Sequence, residues 1–253
     1  HVMASLSWTR EMFRELYTER YFKGGEYVDY EREADALRRN FRTRVNELAR
    51  RHPEGGRLWE IGCAYGYFLK EAGAHFIAAG CDVAHEAVKF AAEKNGANAQ
   101  CLDYLTYTPD APFDVICLWD TIEHLPDPHL FLKKAFDDLR PGGTIALSTG
   151  DIGSFWARLR GRRWRQIHPP THVHYFTCNS MRWLLRRLGY TQIRLRHPVF
   201  WRNLDTSLAK VVAQKPYAHK IYALLRQSGM FRINYPLNLF DLMTVYAVKP
   251  LDA

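Results

Sequence analysis

Apolar and polar positions follow two different periods along this chain, and the two periods alternate. Short apolar runs bounded by turn residues predict strands, whereas apolar residues spaced three and four apart predict helices. We predict strands at 58–60, 77–82, 99–104, 113–120, 144–147, 191–196 and 242–248. Helical segments between them favour a mostly parallel sheet that is covered on both faces and binds ligands at its carboxyl ends.

The segments outside this alternation divide the chain into regions. Residues 1–5 are expected to be a remnant of an expression vector, and 6–52 a helical lid with helices at 8–21 and 30–51 joined by a glycine-hinged aromatic loop. Such a loop either closes over a ligand or pins the first helix to the core. Residues 53–253 form the core, and a helical insertion at about 198–240 interrupts it before the last strand. We expect the insertion to serve as a substrate lid or an oligomer contact, which makes a homodimer one expectation.

A glycine turn follows the first core strand. Glu60 ends that strand, and the turn carries Gly62, Cys63, Ala64 and Gly66 directly before a predicted helix. Small residues let the backbone approach a ligand, and free N–H groups attract its negative end. A dinucleotide fingerprint would place its third glycine where this chain has a tyrosine. The turn therefore favours a small anion, such as an amino-acid carboxylate, over a pyrophosphate.

Acidic residues also end the next two strands. Asp82, followed by Val83, stands 22 residues after the first acid, a position from which a carboxylate accepts hydrogen bonds from ribose hydroxyls. Asp103 and Tyr104 supply an acceptor for an exocyclic amine and a ring that could flank adenine. Trp119 is the second-last residue of the predicted fourth strand.

In this order the motifs resemble those of the class I S-adenosylmethionine-dependent methyltransferases, over roughly residues 35–200. The Glu123-His124-Leu125 sequence after the fourth strand resembles the branch that includes quinone and sugar methyltransferases. The resemblance implies a Rossmann-like α/β fold with seven strands, mostly parallel with an antiparallel last strand. It implies S-adenosylmethionine as cofactor, bound by the glycine turn, the strand-end acids and Trp119. Ala64 departs from the family pattern, which has a glycine there.

Composition narrows the possible partners. The formal net charge is +8, and residues 156–165 contain five arginines and two tryptophans. Such a segment could bind RNA, but the chain has no recognisable RNA-binding module, so an anionic small acceptor is preferred. Arginines such as Arg44 on the second predicted helix are expected to be solvated surface. The five cysteines form no C-x-x-C pair and are expected to be reduced. No apolar run reaches the roughly 20 residues of a membrane span, and a cytoplasmic enzyme is expected.

Two histidines are candidates for the catalytic base. His124 follows the fourth strand, and His172 lies in the segment 168–176, which resembles a substrate-cleft segment of sugar and natural-product methyltransferases. A histidine can take a proton from a hydroxyl as the methyl group transfers. The expected reaction is thus O-methylation of a small molecule, a sugar or another natural-product or glycan precursor. RNA methylation through residues 156–165 and a non-catalytic cofactor-binding protein remain alternatives.

The same region could instead hold a divalent metal ion. Asp120, Glu123 and His124, together with His172 or His174, offer carboxylate and imidazole ligands suited to magnesium, manganese or zinc. A hydrogen-bonded cluster needs no metal, so this alternative is not the preferred one.

Overall fold

A seven-stranded sheet forms the centre of the protein in a computed structural model that describes residues 1–4, 30–212, 222, 231 and 233–252. After a short N-terminal strand β1 (Val2–Met3), the strands of this sheet are β2 (Arg57–Ile61), β3 (Ile77–Asp82), β4 (Ala99–Cys101), β5 (Phe113–Trp119), β6 (Leu139–Gly150), β8 (Thr191–Arg196) and β11 (Leu242–Val248). Their spatial order is β4-β3-β2-β5-β6-β11-β8. The neighbours from β4 to β6 pair in parallel, and β11 runs antiparallel to both β6 and β8. The predicted Rossmann-like α/β fold is confirmed.

Helices connect the strands and cover the sheet. They are α1 (Tyr30–Arg51), α2 (Tyr67–Ala72), α3 (His85–Asn95), α4 (Pro128–Asp138), α5 (Phe155–Arg160), α6 (Cys178–Arg187) and α7 (Leu204–Val212). The bounds of α1 agree with the prediction. Of the insertion predicted at about 198–240, the structure describes residues 198–212, 222, 231 and 233–240. The helix and loop predicted within 8–29 lie outside the described residues.

The core has one apolar layer on each face of the sheet. Because successive side chains of a strand point to opposite faces, β5 sends Val115 into one layer and Ile116 into the other. Val45 and Leu48 of α1 join the layer of Val115. This packing fixes α1 against the sheet, next to the strand ends where the glycine turn begins.

Two small sheets extend the core. Val2–Met3 pairs with β7 (His174–Tyr175), so the first residues contact the segment that carries the histidines. Within the insertion, β9 (Phe200–Asn203) and β10 (Asn234–Leu237) form an antiparallel pair. Among the described residues, none of the helices has the length and apolar character to span a bilayer.

Candidate functional site

The glycine turn is held in a conformation that depends on its small residues. Gly62 has a φ of +76°, and a β-carbon there would lie 2.6 Å from the side chain of Thr121. The N–H groups of Gly62 and Cys63 both donate to the carbonyl of Cys81. Ala64 also has a left-handed φ of 44°, which costs a residue with a β-carbon roughly 1–2 kcal/mol. The turn thus leaves room for a ligand at some cost in backbone strain.

Asp82 ties the glycine turn to the end of β3. One carboxylate oxygen, Oδ2, accepts from the backbone N–H of Ala64 at 2.9 Å, and Oδ1 accepts from that of Ala84 at 3.0 Å. Burial raises the pKa of Asp82, while these backbone donors oppose the shift. Val83 follows with 44% of its surface exposed. The sequence candidates of the first two strand ends therefore lie together.

Asp103 and Tyr104 play different structural parts at the third strand end. Asp103 accepts from the backbone N–H of Leu105 and so caps a short 3-10 helix, Tyr104–Thr106. Tyr104 is only 1% exposed, and its hydroxyl donates to Asp138 at 2.7 Å. Its ring therefore supports the Asp103 loop from inside the core.

Arg44 of α1 reaches the carboxyl edge of the sheet, a position that sequence analysis missed. Its side chain is only 8% exposed, it lies 3.4 Å from Oδ2 of Asp120, and its guanidinium stands 4.5 Å from the ring centre of Trp119. The expectation of a solvated surface residue was wrong for Arg44. Arg44 stands three residues after Phe41 and four before Leu48, so it falls on the apolar stripe of α1. This spacing was the signal of its burial that the sequence contained.

Two buried polar atoms that lack a hydrogen-bond partner in the described part of the chain lie in the surroundings of Arg44. Among the described residues, Oε2 of Glu60 and Nε1 of Trp119 have no hydrogen-bond partner. Burial raises the pKa of Glu60 well above its usual value, and the charge of Arg44 counters part of that shift. Orphaned buried acceptors and donors are uncommon in proteins and call for a bound partner.

His124 and His172 are in contact, although 48 residues separate them. Their ring centres are 4.5 Å apart in an edge-to-face arrangement. Nδ1 of His124 lies 2.9 Å from the carbonyl oxygen of Thr171, and Nδ1 of His172 lies 2.9 Å from that of Gln166. A carbonyl oxygen only accepts, so each Nδ1 carries a proton, and in the uncharged ring of His172 Nε2 has the lone pair.

Burial sets the protonation of this pair and of the neighbouring acid. It lowers the pKa of His124 to about 4 and, together with the charge of His124, that of His172 to about 2. Burial and the negative charge of Asp120 raise the pKa of Glu123 to about 8. At neutral pH both imidazoles are therefore uncharged, and Glu123 is the member of this group that titrates closest to neutrality.

His174 and the basic segment lie around these histidines. His174 is buried, and its Nε2 approaches the carbonyl of Pro126 at 3.1 Å. In the basic segment, Trp164 is buried and donates to Asp241, and Arg165 forms an ion pair with the same carboxylate. All five arginines of the segment are exposed, at positions 158, 160, 162, 163 and 165.

Comparison with known proteins identifies the family. A family model described as a methyltransferase domain matches residues 30–195. The chain belongs to this family, and its sheet and solved relatives make it a class I S-adenosylmethionine-dependent methyltransferase. The cofactor class expected from the sequence is thereby confirmed at the level of the family.

Three relatives illustrate how far the similarity extends. The ubiquinone biosynthesis O-methyltransferase of Xylella fastidiosa is 32% identical over 117 residues, which are 42% of this chain and 47% of the relative. The chain thus spans about half the length of this relative. A Thermotoga maritima methyltransferase described as a possible histamine N-methyltransferase has a TM-score of 0.62 and 18% identity over 94% of this chain and 99% of its own. The Synechocystis magnesium protoporphyrin IX methyltransferase, solved with S-adenosylhomocysteine, has a TM-score of 0.63 and 13% identity over 95% of this chain and 100% of its own.

Proposed function

We propose that this protein transfers the methyl group of S-adenosylmethionine to a hydroxyl oxygen of a small molecule. The observation that carries the proposal is the group of Glu123, His124 and His172, in which a carboxyl with a raised pKa adjoins two uncharged imidazoles. A hydroxyl loses its proton as its oxygen forms a bond to carbon, and these residues are suited to accept it.

The residues at the strand ends fit the cofactor. The glycine turn from Gly62 to Gly66 leaves space that a β-carbon would fill, and Arg44 offers a buried cation for a carboxylate. Asp82, Val83 and Asp103 would hold the ribose and the adenine, and Trp119 would lie against the cofactor. When bound, S-adenosylmethionine supplies a methyl group on a sulfonium sulfur, which is a good leaving group.

The pKa values assign separate tasks to the three residues. Each imidazole is held by the hydrogen bond from its Nδ1–H to a backbone carbonyl. The uncharged ring of His172 then offers the lone pair of its Nε2 to the acceptor hydroxyl. Glu123 has the pKa nearest to neutrality, so it is the residue best suited to keep the proton. Proton acceptance by histidine alone would instead require a pKa near the model-peptide value of about 6.5. We therefore propose that His124 and His172 orient the acceptor and that Glu123 takes the proton.

The acceptor is proposed to be a sugar or another natural-product or glycan precursor. The names of the curated relatives, which refer to ubiquinone biosynthesis, support a hydroxyl acceptor and make phenols the second group to test. The exposed arginines of residues 158–163 support an acceptor with negative charge.

The test is methyl transfer from labelled S-adenosylmethionine to a panel of nucleotide sugars, phenols and RNA. On the accepted substrate, the turnover number should rise with pH through about 8. Glu123→Gln should remove that dependence and lower turnover about 10²–10⁴-fold while S-adenosylhomocysteine still binds. Turnover on RNA alone, or cofactor binding without turnover on any acceptor, would refute the proposal. A wild-type profile that is flat from pH 6 to 9 would refute the role of Glu123.

A divalent metal ion is the second candidate for this group. Glu123, His124 and His172 each offer a ligand atom, and these atoms all lie within 4.8 Å of one another. A carbonyl bond to the second ring nitrogen is also usual for metal-binding histidines. Under this alternative a chelator abolishes turnover and added metal restores it, whereas turnover that persists in chelator excludes it.

A further inference from the structure

A second group of ligand-type side chains lies outside the histidine pair. Asp151 directly follows β6, Cys178 begins α6, and His197 directly follows β8. Oδ2 of Asp151 lies 3.2 Å from Sγ of Cys178 and 3.0 Å from Nε2 of His197. Sγ and Nε2 are 3.8 Å apart. Three separate elements thus bring a thiol, an imidazole and a carboxylate to one point.

These separations agree with those between ligands of a tetrahedral metal ion. Zinc bonds of about 2.3 Å to sulfur and about 2.0–2.1 Å to nitrogen or oxygen place tetrahedral ligand atoms about 3.3–3.6 Å apart. The three observed distances each lie within about 0.4 Å of those values. The three side chains are therefore close to the arrangement that a tetrahedral metal ion requires.

The carboxylate of Asp151, at the centre of the group, is buried and oriented by a backbone hydrogen bond. The side chain of Asp151 is only 7% exposed, and its Oδ1 accepts from the backbone N–H of Gly153 at 2.9 Å. That bond orients the carboxylate and leaves Oδ2 toward the thiol and the imidazole. Sδ of the buried Met243 lies 3.9 Å from Sγ of Cys178 and adds a second sulfur to the surroundings.

We propose that Asp151, Cys178 and His197 bind a single zinc-like divalent cation. Thiolate and imidazole ligands favour zinc over magnesium or calcium, which prefer oxygen ligands only. On binding, the thiol of Cys178 releases its proton to solvent as the sulfur–metal bond forms. This site is independent of the proposed methyl transfer.

The position of the site explains what a bound cation would stabilise. Asp151 and Cys178 bracket residues 152–177, which include the basic segment and His172, and His197 stands where the 198–240 insertion begins. A cation there would link the two ends of residues 152–177 and the start of the insertion to the ends of the sheet strands. Because it binds the folded chain, it should also raise the melting temperature.

The experiment uses cobalt(II) as a spectroscopic substitute for zinc. The purified full chain, freed of metal by chelation and kept reduced, is titrated with cobalt(II) and then with zinc(II). We expect a cobalt–thiolate charge-transfer absorption that saturates at one equivalent per chain and disappears when zinc is added. Cobalt at Glu123, His124 and His172 gives no such absorption, because that group has no thiol.

Variants assign the signal to this group. Cys178→Ser should abolish the thiolate absorption, and Cys101→Ser, which removes an exposed thiol elsewhere, should leave it unchanged. His197→Gln should weaken cobalt binding at least about 100-fold, since even loss of a residue behind the ligands costs 10–100-fold. Absence of the absorption in the folded wild type, or its persistence in Cys178→Ser, would overturn the proposal.

A measurement on the wild type alone tests the proposal even if a variant fails to fold. Zinc should slow iodoacetamide alkylation of Cys178 in the wild type, followed by peptide mass spectrometry, and should leave alkylation of Cys101 unchanged. Equal alkylation rates of Cys178 with and without zinc would also overturn the proposal.

Discussion

Replacing Arg44 with methionine tests the cofactor site most directly. The side chain of Arg44 is 8% exposed, so solvent screens its charge weakly. A hydrogen bond to a charged group contributes roughly 1.5–3 kcal/mol, which corresponds to an about 10- to 150-fold rise in the dissociation constant. Methionine keeps most of the apolar stem and removes only the charged guanidinium, which stands over the rings of Phe41 and Trp119. Isothermal titration calorimetry with S-adenosylhomocysteine measures the effect.

Arg42 provides the matched control on the same helix. Its side chain is 66% exposed and pairs with Glu71 at 2.7 Å, near the C-terminal end of α2. Arg42→Met should change the dissociation constant less than threefold, and thermal melting of both variants should show that each is folded. The reasoning is refuted if Arg44→Met binds S-adenosylhomocysteine as tightly as the wild type, or if the two variants weaken binding equally.

Three further predictions concern strain and protonation. Ala64→Gly should stabilise the fold by roughly 0.5–1 kcal/mol, because relief of a left-handed φ outweighs the added backbone entropy of the unfolded chain. The control is Ala84→Gly, because Ala84 has a φ of −91°. Chemical denaturation would contradict the prediction if both variants lost the same free energy of unfolding. Gly66→Ala should lower the free energy of unfolding by about 1–3 kcal/mol more than Gly96→Ala. Both glycines have a positive φ, but only a β-carbon at Gly66 would meet neighbouring alanines, at 2.7 and 2.9 Å. Equal melting temperatures of the two variants would contradict this packing argument. The pKa of His172 falls to about 2 in the fold, so its contribution to the free energy of unfolding is complete above about pH 6.5. That contribution is lost as the pH falls, by roughly 2 kcal/mol between pH 6.5 and 5. The stability of His172→Asn, measured by denaturation, should fall less over that range, and parallel stability–pH curves for the variant and the wild type would exclude this assignment.

The fold could be predicted from the sequence because its strong signals are local. The bounds of α1, β3, β8 and β11 agree with the predictions, since each has a clear period and a turn residue or polar cluster at its ends. The third strand is shorter than predicted, because Asp103 turns its side chain back onto the backbone and starts a 3-10 helix. Such a cap competes with strand pairing, and the apolar pattern does not reveal which prevails.

The candidate site could be predicted only in part, because its remaining features depend on distant contacts. The sequence could indicate that Asp82 stands near the glycine turn, since parallel strand ends meet at one edge of a sheet. It could not show that the rings of His124 and His172 touch, or that burial moves the pKa of Glu123 to about 8. Both follow from the path of residues 151–176, which no local period determines.

The net charge of the chain is a poor guide to the charge of its candidate site. The formal value of +8 is supported by exposed arginines such as those of residues 158–163. At the strand ends Glu60 and Glu123 are buried and Asp82 is half-buried, and burial raises the pKa of each of these acids. A cation that enters such a region lowers those pKa values again and gains their attraction. S-adenosylmethionine carries its positive charge on sulfur, so acids at the strand ends favour its binding.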